Sequence, residues 1–151
     1  MDEIEEFINI NTKIENGMVI ITFTTLDSTI TTLRILKFLK KLKMLFEDLK
    51  DERINQFSMI FNVNTITIIP KEHIIDIINL MKQYRKLFEK KTKCSCIIVN
   101  SIIKVQFEML LNQFYEPIKP IFICKDMEEC MKYTFMNEND DEYKKFRFVK
   151  K

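Results

Sequence analysis

The 151-residue chain holds a single glycine, Gly17, a single histidine, His73, and no alanine. A phosphate-cradling loop and a dinucleotide fingerprint each need several glycines for close backbone approach, so nucleotide chemistry of those kinds is excluded. One imidazole rules out two-histidine metal motifs and leaves one candidate histidine base. Cysteine is scarce as well. The four thiols sit inside apolar segments rather than in loops, which points to reduced thiols in a cytosol-like setting. No run approaches the roughly 18 apolar residues that a bilayer span needs. The acidic start (Asp2, Glu3, Glu5, Glu6) is unlike a signal peptide, so the protein is expected to stay in the cytoplasm. The missing alanine, beside abundant Ile, Lys and Asn, points to an AT-rich genome and says nothing of function.

What is present describes one folded domain. Hydrophobic residues make up 46% and charged residues 30%, outside the disordered class, and the length suits one core rather than two. A net charge of +2 implies no bulk attraction to nucleic acid or to an anionic membrane.

The stretch 57–92 reads as an apolar strand (Phe57, Met59, Ile60, Phe61, Val63), a connector, and a long amphipathic helix opened by Pro70. Pro70 suits the first helical position, where its missing N–H has no intrahelical partner. Ile74, Ile77, Ile78, Met81 and Phe88 form that helix's apolar side. A continuously apolar strand is expected to be covered on both faces.

In order along the chain, Asn16-Gly17 between two apolar runs predicts an edge hairpin, because both residues tolerate positive φ. Ser28 is placed to cap a first helix running to about Arg53, with Ile30, Leu33, Leu36, Leu39, Leu42, Leu45 and Leu49 at helical spacing. Lys37, Lys40, Lys41 and Lys43 line its other side as a solvated face or a docking surface for an acidic partner. After the central pair come a strand over 94–99, a helix over 101–114, a strand over 120–124 and a helix over 127–133. Strands alternating with helices imply an α/β fold: a mostly parallel sheet with an N-terminal edge hairpin and four covering helices. The domain is expected over 1–135. Residues 136–151 then form a charged tail, with Phe146, Phe148 and Val149 as anchors should it order on a partner.

The hairpin into Leu26-Asp27-Ser28 and its helix, the strands at 57–63 and 94–99, and the ending Lys119-Pro120-Ile121-Phe122-Ile123-Cys124-Lys125-Asp126-Met127-Glu128-Glu129-Cys130 look like segments of one family. Over about 7–133 the chain resembles the STAS domains of bacterial anti-anti-sigma factors and sulfate transporters. The resemblance implies a non-enzymatic, regulatory protein-binding module. The family's phosphorylated Asp-Ser-Ser-Gly-Leu-like turn falls on Pro70-Lys71-Glu72-His73-Ile74. The hydroxyls are missing there, and Glu72 places a permanent carboxylate where a phosphoserine would put charge.

The expected partner-binding face is therefore Ser28, Pro70, Lys71, Glu72, His73 and Ser101, at the carboxyl ends of the parallel strands. The partner is a protein. The competing expectation is a structural component of a larger assembly such as a viral particle, located then in host cytoplasm or virion. Cys94 and Cys96 share one face of a strand and Cys124 follows in the next, so three thiols can approach one another; their apolar setting makes them core residues, and no metal or cofactor is expected. Lys82, Arg85, Lys86, Lys90 and Lys91 form a basic stripe at helical spacing, and the sequence fixes no oligomeric state.

Overall fold

The computed structural model describes residues 8–28, 30–68, 71–114 and 119–145, the side chain of Lys145 excepted. Asn16 and Gly17 take φ of 54° and 78° and join β1 (Ile8–Glu15) to β2 (Met18–Thr25) as the expected hairpin. There follow α1 (Thr32–Asp48), β3 (Phe57–Val63), α2 (Lys71–Gln83), α3 (Arg85–Lys91), β4 (Thr92–Val99), α4 (Lys104–Phe114), β5 (Ile121–Cys124), α5 (Met127–Phe135) and α6 (Asp141–Lys145). The five strands lie in one sheet in chain order, β1 antiparallel to β2 and the rest parallel. This is the expected α/β fold with its edge hairpin.

Chain-order strands have a topological consequence. Right-handed crossovers that always step in the same direction place all their helices on the same face of the sheet. That face carries Val19, Ile21, Phe23, Phe57, Met59, Ile97, Val99 and Ile121, packed against Phe38, Leu42 and Phe46 of α1, Ile78 and Leu80 of α2, Phe88 of α3, and Phe107 and Leu111 of α4. Among the described residues the opposite face receives only α5 and α6. Its core joins Met18, Ile20, Ile60, Cys94, Cys96, Ile98, Phe122 and Cys124 to Cys130, Tyr133 and Tyr143. Where α5 and α6 do not reach, that face turns polar: on β1 it shows the exposed Asn9, Asn11, Lys13 and Glu15.

Several boundaries differ from the sequence expectation for identifiable reasons. Thr31, not Ser28, caps α1, its hydroxyl accepting from the Arg34 N–H at 3.2 Å. Ile30 and Ile35 join the same core at the two positions of a hydrophobic staple, which holds the helix start three residues later than Ser28 would. The helix ends at Asp48 rather than near Arg53, since the Asp51 carboxylate accepts the Arg53 backbone N–H at 2.8 Å and forms a turn instead.

The long second helix is two. It breaks at Tyr84, whose N–H bonds back three residues to Met81 and whose ring lies 5.1 Å from Phe46. Ser101 lies in a turn and not in α4, because the Asn100 side chain takes the Ile102 N–H at 2.9 Å. The expected tail is ordered through 145: Tyr143 of α6 is buried, its ring 4.9 Å from that of Phe122. With α3 and α6 added, six helices among the described residues cover the sheet where four were expected. Phe146, Phe148 and Val149 lie outside the described residues.

Candidate functional site

The carboxyl ends of β2, β3 and β4 form one edge of the sheet, and the loops leaving them are tied together. The Thr25 and Thr65 hydroxyls are 2.6 Å apart, and Thr65 Oγ1 donates to the Asp27 carbonyl at 3.1 Å. Asn100 Nδ2 donates to the Asn64 carbonyl at 3.4 Å, and Arg34 grips both oxygens of Asp27 at 2.9 and 3.1 Å. These bonds link three successive loops and the start of α1 into a single platform.

The residues singled out from sequence are distributed along this edge. Ser28 follows β2, Lys71, Glu72 and His73 open α2 after β3, and Ser101 follows β4; Pro70 lies outside the described residues. Ser28, Lys71, Glu72 and Ser101 are exposed, and no hydrogen bond or ion pair joins any of the five to another. Lys71 Nζ instead sits 5.6 Å from the centroid of the Phe114 ring. His73 departs from its expected surface position: it is half-buried and lines a cavity.

Sequence reasoning missed the apolar side chains of this edge. Leu26 after β2, Ile68 after β3 (80% exposed) and Ile102 after β4 (74%) all face solvent, as do Val105 and Met109 on α4. No periodic pattern marks them, because each stands outside or at the outer side of a regular element.

Beneath the platform, between the sheet and α1, α2 and α4, lies a cavity of about 130 Å³. Its wall is apolar, with Phe23, Ile30, Phe61, Ile74, Ile77, Ile97, Ile103 and Phe107 around it, and the hydroxyl of Thr25 on its margin is already taken by Asn62 and Thr65.

On the opposite face the Sγ atoms of Cys96, Cys124 and Cys130 lie within 4.8 Å of one another, all buried. Of the three thiols expected to approach one another, Cys96 and Cys124 meet Cys130 of α5, while Cys94 stays beside Cys96 and lies 3.8 Å from Ser58 Oγ. Hydrogen bonds with Cys124, then with Cys130 and Cys94, and after them burial, push the Cys96 thiol well up. Hydrogen bonds from Cys130 and Cys96 pull Cys124 down. The triad is the group of soft ligands that could hold a thiophilic ion, but each partner also serves the core, Cys96 Sγ lying 3.6 Å from the Cys130 carbonyl and Phe122 stacking on Tyr133 at 4.5 Å.

No described helix is long and apolar enough to cross a membrane. Comparison of the chain with family models, curated proteins and solved structures finds no match.

Proposed function

We propose that this chain is a non-enzymatic, STAS-like protein-binding module that engages its partner through the carboxyl edge of the sheet. The observation carrying this reading is the run of exposed Leu26, Ile68 and Ile102 on three successive loops, extended by Val105 and Met109. A single exposed leucine is ordinary. The three stand on loops that leave adjacent parallel strands at the same edge of the sheet, and apolar surface gathered on one edge is the kind that marks an interaction site. The cross-loop hydrogen bonds support the same reading, since a surface that is already ordered loses little freedom on binding. Glu72 and Lys71 give the patch a charged rim beside its apolar centre.

The test uses a partner isolated from the native source and quantified by calorimetry. Ile102→Asp and Glu72→Lys are each expected to weaken binding at least tenfold, while Lys13→Glu at the far side of the hairpin leaves it unchanged. All three positions are exposed, so stability should move by about 0.5 kcal/mol or less. Intact affinity in both edge variants, with loss on changing Phe146 or Phe148, would transfer the function to the C-terminal segment. Recovery of the chain as a stoichiometric share of a large particle would favour a structural role in an assembly.

A further inference from the structure

We infer that the cavity under the carboxyl edge is a binding site for an uncharged hydrocarbon group of about benzene size. The inference is independent of whether a protein binds the edge above. It rests first on volume: the space, part open to solvent, holds about 130 Å³, close to the apolar cavity of about 150 Å³ that takes benzene or xenon. It rests secondly on the wall. A buried water needs two to four polar partners; the Thr25 hydroxyl is committed to Asn62 and Thr65, and Ser95 and His73 line the space without presenting a polar atom to it. A charged or strongly polar ligand is excluded for the same reason, because its polar atoms would be desolvated without replacement bonds.

The wall also resists collapse. Phe23 and Phe61 stack at 4.7 Å on the sheet side, and the isoleucines facing them are stiff at χ1, so neither side relaxes readily into the gap. Among the described residues His73 is the one titratable side chain on the wall and is half-buried, whereas the neighbouring Lys71 is exposed. The same hydrocarbon chemistry can therefore come from two sources: a free small molecule, or the end of an alkyl chain whose carboxylate stays near His73 and Lys71.

The experiment titrates the full chain, labelled at isoleucine methyls, with benzene and separately with n-octanoate. Benzene is expected to shift the Ile77, Ile97 and Ile103 methyls saturably and to raise the melting temperature. Ile77→Phe and Ile74→Phe each fill part of the space from half-buried positions on α2, and each should weaken benzene at least tenfold. Saturable octanoate shifts at the same methyls, weakened in Lys71→Gln, assign the site to an acyl chain; benzene binding alone assigns it to a free hydrocarbon. Absence of saturable shifts with both probes, or unchanged benzene affinity in a folded filling variant, overturns the inference.

Discussion

Lys91 Nζ donates to the Leu49 carbonyl at 2.8 Å, and to that of Asp51 at the same distance, so a buried ammonium closes the C-terminus of α1. Cations at that end complement the helix dipole and satisfy carbonyls that have no partner within the helix. Two residues on, Lys93 Nζ does the same for α5 on the other face, donating to Thr134 and Met136 carbonyls at 2.6 Å each.

Lys91→Met keeps most of the stem and removes the charge. It is expected to cost about 2 kcal/mol in urea denaturation, the scale of a charged hydrogen bond lost from a buried site. A loss below about 0.5 kcal/mol would mean that the ammonium adds nothing beyond its methylenes.

Between the two lysines, Thr92 Oγ1 is buried with no hydrogen-bond partner among the described residues. It sits where the β3–β4 register shifts between Phe57 and Met59. Thr92→Val keeps the shape and removes the unpaired hydroxyl, so a gain of about 1 kcal/mol is expected. A clear loss of stability would reveal an ordered water at the bulge.

Tyr84 Oη donates to Glu47 Oε2 at 2.6 Å. Burial first, and then the hydrogen bond with Glu47, push the phenol up from its ordinary 10.0 to about 12. The folded state therefore favours the neutral phenol, and its contribution is complete below pH 10.0 and lost as pH rises towards about 12. Glu47 shifts the opposite way. The bonds from Tyr84 and Lys50 lower its carboxyl below 4.5, so its contribution is present above that pH and lost as pH falls through the lowered value. Melting temperature against pH should accordingly fall less steeply in both limbs for Tyr84→Phe than for the parent; parallel curves would dismiss the pair as a pH-linked contact.

The thiol triad gives a chemical prediction. As core residues, Cys96, Cys124 and Cys130 should be inert to a thiol reagent in the native state and react only on unfolding. Melting should be indifferent to chelator and to reductant. A large drop with chelator would identify a bound soft ion, and one with reductant a disulfide.

The order of strands and main helices was legible because it depends on local signals: Asn16-Gly17 for the hairpin, apolar runs for β3 and β4, and leucines at helical spacing for α1. The helix break at Tyr84 was not, since it is set by Phe46 and Glu47, far away in sequence. Lys91 looked like one more member of a basic stripe for the same reason: its carbonyl partners lie some 40 residues earlier. The edge placement of Ser28, Glu72 and Ser101 followed from parallel topology alone. The exposed isoleucines and the cavity did not, because a gap among isoleucines reflects how their shapes meet across elements, which no spacing encodes.

The one-sided arrangement of crossover helices also sets a schedule. During synthesis, β2 to β4 can pack against α1, α2, α3 and α4 as each emerges, but among the described residues Ile20, Ile60, Cys96 and Phe122 gain their cover only when residues 127–145 are made. A nascent or prematurely ended chain thus carries an apolar half-finished surface, the kind on which intermediates associate and chaperones act. Stop codons or proteolytic cuts just after β5 should for this reason be far more damaging to yield than the small size of the lost segment suggests.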